Sequence, residues 1–393
     1  MRILFLNHNV IGRGSFLRCL PLADELHQRG HEVVLVTTAD SIQSGWKEEN
    51  RSGVKVWVTP RWGKTGSHDG GYALVDILSR LGLLRHSWDL VHAFEHRPNV
   101  TIPGHLLHLS GIPLVSDWSD WWTKGGITTS RRRFKWVDRL EGSWIEERTR
   151  KHSDAVTVVS QTLYERAIGV GVPPDRLFQI PSGCDHRRIT PLDQQECRRR
   201  LGLPSGCPIV CFSGFAFWDF AFLLDAYRWV LDSFPETRFI VIGSDKEGQI
   251  ESLCQARLGE RAGQVHQLGV FHPDEISLPL SAADIHLLPL PDNLVNRARW
   301  PIKFGDYLCS GRPMVACCVG DAVEWLPRFN AGLVSSPDPE DMAARICELL
   351  SDETLRRECG ARARELACGP LSWGSLAERF LEVYEKCLGN RTR

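Results

Sequence analysis

Two basic side chains and one acidic side chain lie close together between residues 296 and 324 of this 393-residue chain. Arg299 precedes Lys303, and Asp306 follows Lys303 by one helical turn. In a helix, this spacing places Lys303 and Asp306 on the same face. A helix N-terminus with two bases beside it can bind a phosphate, and a carboxylate one turn later can hold a sugar hydroxyl. An ordinary αβ unit with solvated charges is the alternative interpretation.

The residues around this group predict the elements that position it. Pro301 suits the first turn of a helix, and Gly311 suits the left-handed position that ends one. Residues 314–319 then form an apolar run of strand length. Asp321 and Glu324 have the spacing of a capping box, so we expect them to cap the next helix.

A second group, DWSDWW at residues 117–122, is acidic and aromatic. It follows an apolar run, at the end of a predicted strand where sites in α/β sheets gather. Carboxylates between large rings are poorly hydrated, which raises their pKa and suits acid–base chemistry, so Asp117 and Asp120 are candidates. A loop stabilised by tryptophan packing is the alternative. A magnesium site is disfavoured because Mg²⁺ needs more ligands than this pair supplies.

A glycine-containing loop after the first predicted strand is the third candidate. Gly12 and Gly14 lie beyond the carboxyl end of that strand, where open α/β sheets bind ligands. Leu17 replaces the third glycine of a dinucleotide fingerprint, so a flexible loop near a ligand is favoured over a dinucleotide site. His92 and His96 are not expected to share a helix face, which argues against a zinc site.

The composition restricts the classes of function and the compartment. The formal net charge of −1 gives no support to a nucleic-acid partner. Thirteen cysteines without a CxxC pair fit a reducing compartment. The N-terminal residues predict a strand rather than a signal peptide, and no apolar run has the length of a membrane span. We therefore expect a cytoplasmic protein without a metal site.

A basic cluster at residues 131–135, RRRFK, precedes Trp136 and has three interpretations. It could rest on the anionic inner face of a membrane as a peripheral contact. It could bind an acidic acceptor. A solvated helix face is the ordinary explanation for such a charge run.

Strand and helix patterns alternate in two series, which predicts an α/β protein with two doubly wound domains. The first series begins with a strand at residues 2–6, and the second begins with a strand at residues 208–213. The polar stretch between them places the junction near residue 190. We expect one domain at 1–187, a second at 188–370, and a C-terminal helix within 371–393 whose return to the first domain is left open.

Several stretches together resemble the retaining family 4 glycosyltransferases, which have the GT-B fold. In chain order they are RGHEVVLVTT at 29–38, WDLVHAF at 88–94, GIPLVSD at 111–117, DAVTVVS at 154–160, SGCD at 182–185 and the stretch around Gly311. The resemblance covers nearly the whole chain. It implies two Rossmann-like domains facing a central cleft, with the nucleotide-sugar donor mainly on the second domain and the acceptor on the first.

The resemblance assigns donor-binding roles to the group around Lys303. A family variant, RxPxKxxEYxxxGxPV, matches from Arg299 to Pro313 with Asp306 in place of the glutamate that holds the ribose. Ala298 stands at the first carboxylate of the family's EX7E motif, so that motif is incomplete. Glu324 has a counterpart near the donor sugar, which gives it a second interpretation besides capping.

Two further departures from the family pattern shift roles to other residues. The loop after Gly214 lacks the basic pair that grips the diphosphate in the family. The leaving diphosphate still requires positive charge, so we expect Arg299 and Lys303 to supply it, aided by the N–H groups of residues 12–14. Ser119 stands where the family's histidine is expected, which leaves Asp117 and Asp120 as the predicted catalytic residues.

These expectations predict a glycosyltransferase that moves a sugar from a nucleotide-diphosphate donor to a hydroxyl acceptor, without a metal or other cofactor. Retention of configuration is implied by the family alone. The acceptor, whether a polysaccharide, a lipid-linked molecule or a small molecule, stays open. The departures at Ala298 and Ser119 and the missing basic pair motivate an alternative, a sugar-nucleotide-binding protein with impaired turnover. A sugar-nucleotide epimerase, which also has two such domains, is a further alternative.

Overall fold

The computed structural model describes residues 1–63, 71–129, 134–214, 217–245 and 248–389. The chain divides into two compact units. The first unit contains Met1–Ser182, Ala298–Trp300 and Trp373–Arg393, and the second contains Gly183–Arg297 and Pro301–Ser372. The observed division therefore falls between Ser182 and Gly183, whereas the sequence analysis placed it between residues 187 and 188.

The first unit is built on an eight-stranded sheet in which seven strands are parallel. Its strands are β1 Arg2–Val10, β2 Glu32–Thr38, β3 Lys47–Arg51, β4 Val54–Thr59, β5 Leu90–Phe94, β6 Leu114–Trp118, β7 Ala155–Val158 and β8 Leu177–Gln179. Their order is β3-β4-β2-β1-β5-β6-β7-β8. The antiparallel edge strand β3 was not predicted, because its sequence KEENR is charged throughout and largely exposed.

Helices cover the first sheet. They are α1 Phe16–Gln28, α2 Leu74–Arg80, α3 Pro98–Leu109, α4 Lys135–Glu141, α5 Arg148–Lys151 and α6 Gln161–Gly169. A π-helical turn, Gly142–Glu147, joins α4 to α5, so residues 135–151 form one helical segment. The central strand β1 is buried on both faces, as expected for an inner strand of a parallel sheet covered by helices.

The second unit is built on a six-stranded parallel sheet. Its strands are β9 Ile209–Ser213, β10 Arg238–Ile242, β11 Val265–Gly269, β12 Ile285–Leu288, β13 Met314–Cys317 and β14 Gly332–Ser335, in the order β11-β10-β9-β12-β13-β14. Its helices are α7 Gln194–Arg200, α8 Phe217–Ser233, α9 Gln249–Leu258, α10 Ser277–Ala282, α11 Leu294–Ala298, α12 Ile302–Cys309, α13 Asp321–Phe329, α14 Pro339–Ser351 and α15 Glu353–Cys368.

The last helix, α16 Trp373–Gly389, belongs to the core of the first unit. Its buried face includes Trp373, Phe380 and Tyr384, which join the hydrophobic cluster of β1 and α1. The Tyr384 hydroxyl lies 2.7 Å from Nδ1 of His92 in β5. The helix thus completes the cover of the first sheet. Among the described residues, no helix has both the length and the apolar character needed to cross a bilayer.

Candidate active site

Glu95 organises the carboxyl edge of the first sheet. It follows β5 with φ of +70°, a conformation that is costly for a side chain larger than glycine and that clusters at functional sites. Its buried carboxylate accepts hydrogen bonds from the Ser119 N–H at 3.0 Å and from Trp122 Nε1 at 2.8 Å. Burial alone would raise the pKa of Glu95, but contacts with His96, Arg150 and Ser119 lower it to about 2. Glu95 is therefore a permanent anion that holds the loop after β6.

Glu146 holds the same loop from the other side. It lies in the π-helical turn, a feature that often occurs at functional sites. Its fully buried carboxylate accepts from Trp118 Nε1 at 3.0 Å and from the Thr123 N–H at 3.1 Å. Arg166 pairs with it at 3.1 Å and stacks 4.2 Å from the centre of the Trp121 ring. The tryptophan packing that the sequence analysis considered is thus present, and buried carboxylates direct it.

Asp120 lies in the loop that these two carboxylates hold. It is half-buried, and its pKa is raised to about 7 by burial and by the negative charge of Glu95. Arg299 opposes the rise in this pKa and Glu146 adds to it. A carboxyl group with a pKa near neutrality exchanges a proton readily at physiological pH, which is the property expected of an acid–base group.

Asp117, the other predicted catalytic residue, is committed to the interior. It pairs with Arg18 of α1 at 2.9 Å, and both side chains are almost fully buried. Thr157 Oγ1 also donates to it at 2.8 Å. A carboxylate whose oxygens are occupied and shielded in this way cannot reach a substrate. The sequence pattern did not distinguish the two aspartates, and the structure leaves Asp120 as the candidate.

Histidines near this edge are neutral or engaged with glutamate. Burial, with a smaller contribution from the positive charge of Arg97, lowers the pKa of His8 to about 3. His96 Nε2 lies 3.1 Å from Glu141 in α4. Within the described ranges, His, Cys, Asp and Glu side chains form no group of three or more that could ligate a metal.

The glycine loop connects β1 to α1. Gly12 and Gly14 have φ of +75° and +52°, and a side chain at Gly14 would collide with Asn9. Ser15 donates to Asn7 at 2.5 Å and so fixes the start of α1. Residues 12–14 are exposed and lead into the first turn of α1, whose N–H groups at residues 16–18 donate to the carbonyls of residues 13–15. The Arg13 N–H donates to the Val10 carbonyl. The role of residues 12–14 in binding phosphate stays a prediction.

Lys303 defines the corresponding edge of the second sheet. It lies in the first turn of α12, and a side-chain carbon on Gly214 would lie 2.8 Å from its ammonium nitrogen. The ammonium also lies 4.3 Å from the centre of the Phe212 ring. Gly214 and Gly243 have φ of +147° and +153°, and a side chain at Gly243 would collide with the Gly214 carbonyl. Because Gly214 has no side chain, the Lys303 ammonium can lie close to the backbone beyond β9. Because Gly243 has none, the backbone beyond β10 can lie close to the Gly214 carbonyl.

Asp306 lies one turn after Lys303 and is partly exposed, at 27% of its side chain. Burial raises its pKa to about 6, although Arg188 opposes that rise. Arg188 lies 3.8 Å from Asp306 and donates to Asp185 at 2.9 Å. Asp185 belongs to the SGCD motif noted in the sequence, whereas Arg188 was not identified as a candidate there.

Two predictions about the flanking elements have opposite outcomes. Gly311 has φ of +68° and follows the C-cap of α12, as predicted. The capping box of Asp321 and Glu324 was wrong, because Gly320 occupies the N-cap and Asp321 already belongs to α13. Glu324 is exposed in the first turn of α13. The capping interpretation is therefore excluded, and its interpretation as a donor-sugar contact stays a prediction.

Arg299 belongs to the first unit together with Ala298 and Trp300. The Ser160 hydroxyl fixes this segment by donating to the Ala298 carbonyl at 2.6 Å. Arg299 Nε is buried without a hydrogen-bond partner in the described part of the chain, and the arginine acts electrostatically on Asp120. Arg299 and Lys303 therefore fall in different units, and their joint role stays a prediction.

Residues 215–216 of the loop after Gly214, and Arg131–Arg133 of the basic cluster, lie outside the described residues.

Comparison with known families accounts for both units. Residues 14–183 match the model of the glycosyl transferase 4-like domain, and residues 207–352 match the model of glycosyl transferases group 1. The chain thus combines a glycosyl transferase 4-like domain with a glycosyl transferases group 1 domain. The expected family and the two-domain α/β architecture are thereby confirmed.

Individual relatives of the chain are distant in sequence. It is 24% identical over 239 residues to the GDP-mannose-dependent monoacylated alpha-(1-6)-phosphatidylinositol monomannoside mannosyltransferase of Corynebacterium glutamicum, covering 59% of this chain and 62% of that protein. It is 26% identical over 269 residues to alpha-maltose-1-phosphate synthase of Mycolicibacterium smegmatis, covering 62% of this chain and 66% of that protein. The chain thus spans less than two thirds of the length of these curated relatives.

Solved structures share the GT-B fold over nearly the full length. The sucrose-phosphate synthase of Thermosynechococcus elongatus matches with a TM-score of 0.77 and 18% identity, covering 99% of this chain and 100% of that one. Anabaena HepE in complex with UDP and glucose matches with a TM-score of 0.70 and 18% identity, covering 98% and 99%. At this identity the likeness establishes the fold alone.

Proposed function

We propose that this chain transfers a sugar from a nucleotide-diphosphate donor to a hydroxyl acceptor, with retention of configuration and without a metal. The observation that carries the proposal is the ammonium of Lys303 held against Gly214 beyond β9. Ligands of parallel α/β sheets bind beyond the carboxyl ends of the strands, and the helix N-terminus behind Lys303 adds to its positive potential. That combination suits a diphosphate.

Asp306 supports the same assignment. A carboxylate one turn after the phosphate-binding lysine can accept hydrogen bonds from the two ribose hydroxyls. Asp306 is partly exposed and so is accessible to a ligand. Arg188 stabilises its ionised form, which is the form that accepts hydrogen bonds. Glu324, exposed in the first turn of α13, would then contact the sugar hydroxyls.

Departure of the nucleoside diphosphate requires that its developing charge be offset. Lys303 supplies positive charge to the donor. Asp120 would exchange a proton near the reacting hydroxyl, because its raised pKa of about 7 suits both acceptance and release. All of these groups belong to this chain, so the proposed roles require no metal.

The relatives favour transfer over the two alternatives. Those cited above are named as a transferase and as synthases, and HepE was solved with UDP and glucose. The donor base and sugar differ among these names, and so does the acceptor. The proposal therefore specifies the donor class, a nucleotide-diphosphate sugar, and a hydroxyl acceptor.

Release of nucleoside diphosphate tests the proposal. The protein is incubated with UDP-, GDP- and dTDP-sugars, with and without EDTA, and the released diphosphate is measured. We expect slow hydrolysis of one donor that EDTA does not change and that Asp120→Asn reduces. The exposed variant Glu378→Ala serves as the control, since its carboxylate lies far out on the surface with 72% exposure.

Other results would select an alternative. Calorimetric binding of a donor without turnover, under any mixture of acceptors, would indicate a binding protein. Conversion of the donor to an epimeric sugar would indicate an epimerase. Loss of hydrolysis in EDTA that added metal restores would refute metal independence.

A further inference from the structure

The segment at residues 134–144, which is helical from Lys135 onward, has an inverted pattern of burial. Five large apolar side chains are exposed on it, with exposures from 36% to 63%: Phe134, Trp136, Val137, Leu140 and Trp144. We call this set the aromatic face. The acidic residues of the same segment, Asp138 and Glu141, are buried instead. The hydrophobic effect normally buries apolar side chains and leaves acidic ones exposed. An exposed apolar stripe of this kind therefore marks an interaction surface.

The buried acids explain why the segment is oriented in this way. Asp138 accepts hydrogen bonds from the Lys124 N–H at 2.8 Å and from the Thr128 hydroxyl at 2.6 Å. Glu141 accepts from Arg97 at 2.9 Å. These contacts fix the inward face of the segment on the loop that contains Asp120 and on its neighbours. The aromatic face consequently points to the outside of the first unit.

The charges beside the aromatic face have one sign. From residue 134 to residue 151, all exposed charged side chains are basic, namely Lys135, Arg139, Arg148 and Lys151. Of the two other acids there, Glu146 is fully buried, and Glu147 is half-buried and is paired with Lys124 and Arg166. Trp144, Arg148 and Lys151 line one surface groove. Indole rings and bases therefore occur together on the same stretch of surface.

We propose that the aromatic face and its basic neighbours dock this protein on an anionic lipid surface. Tryptophan suits the boundary between head groups and acyl chains, because its ring is apolar and its N–H can still hydrogen-bond. Basic side chains around it are attracted to acidic head groups. An amphipathic segment with these two features lies in the plane of the interface and does not cross the membrane.

Docking would serve the proposed function without depending on it. The inward face of this segment holds the Asp120 loop, so a bound membrane would lie on the outside of the element that positions the candidate catalytic residue. The proposal itself concerns binding to lipid alone. It is testable without a sugar donor, so its failure would leave the transfer assay unaffected.

Co-sedimentation with vesicles tests the proposal. The full chain is mixed with vesicles of phosphatidylcholine, with and without about one third phosphatidylglycerol, and the bound fraction is measured. We expect binding to the anionic vesicles that raised salt weakens. The variant Trp136→Ser/Trp144→Ser should bind at least tenfold more weakly. Trp229→Ser is the matched control, because that tryptophan is also exposed, at 43%, but lies in α8.

Three results would overturn the proposal. The first is equal binding of the wild-type protein and the double tryptophan variant to anionic vesicles. The second is an absence of binding to either kind of vesicle. The third is self-association that the double variant abolishes, seen by sedimentation without lipid, which would make the aromatic face an interface between copies of this chain. Circular dichroism of the variants checks that the exposed substitutions leave the fold intact.

Discussion

The carboxyl edges of the two sheets use charge in different ways. At the first edge, buried carboxylates are matched by buried arginines: Asp117 with Arg18, and Glu146 with Arg166. At the second edge, Lys303, Asp306 and Glu324 are all partly or fully exposed. Buried pairs of this kind fix the positions of loops, whereas partly exposed charges remain available to a ligand. The first edge is a rigid frame around Asp120, whose pKa lies near neutrality, whereas the second carries partly or fully exposed charges of both signs. We propose that Lys303 among them binds the donor diphosphate.

Removing a buried carboxylate at the first edge should have the largest effect. Glu146→Ala would remove the closer of the two counter-charges of the buried Arg166, leaving Glu147 at 3.3 Å, and would free the Trp118–Thr123 loop. We expect a loss of about 3–5 kcal/mol in the free energy of unfolding. Urea denaturation measures it. The exposed Glu378→Ala should change stability by less than about 0.5 kcal/mol. Similar losses in the two variants would show that the buried frame has no special importance.

The sequence predicted the elements of the second edge better than those of the first. The positions of Lys303, Asp306 and Gly311 follow from helix periodicity and the punctuation by proline and glycine, which are local properties. The function of Glu146 depends on a π-helical turn, and that of Glu95 on a left-handed backbone at a residue other than glycine. Neither feature has a local sequence signal. Distinguishing Asp117 from Asp120 required knowledge of Arg18, which is distant in the chain.

The overall architecture was also largely predictable, because alternating apolar strands and amphipathic helices specify parallel sheets. Strand β3 was missed because its pattern is that of a charged surface loop. The capping box at Asp321 was wrong because Gly320, with φ of +78°, takes the N-cap and so shifts the start of α13. In both places the structure depends on backbone geometry that side-chain patterns do not encode.

Replacing Asp120 by asparagine should raise the stability of the protein but lower its activity. The pKa of Asp120 is raised to about 7 from an ordinary value near 3.9, so its ionised form destabilises the folded state as pH rises from about 4 to 7. Asp120→Asn should therefore be more stable than wild type by about 2 kcal/mol at pH 8, with no advantage near pH 4. Its donor hydrolysis should fall by roughly a hundredfold. Thermal unfolding at both pH values gives the comparison, and an advantage independent of pH would contradict the assignment.

The affinity for a nucleoside diphosphate tests the central claim about the second edge most directly. Calorimetry compares UDP and GDP binding to wild type, to Lys303→Met and to Arg345→Met, whose guanidinium lies on the surface of α14 and pairs with Glu348. We predict that Lys303→Met weakens binding by roughly tenfold, about 1.4 kcal/mol, while the loss of its contact with the Phe212 ring lowers the unfolding free energy by about 1 kcal/mol or less. Arg345→Met should bind as wild type does. Unchanged affinity in Lys303→Met would remove Lys303 from the donor site and contradict the account.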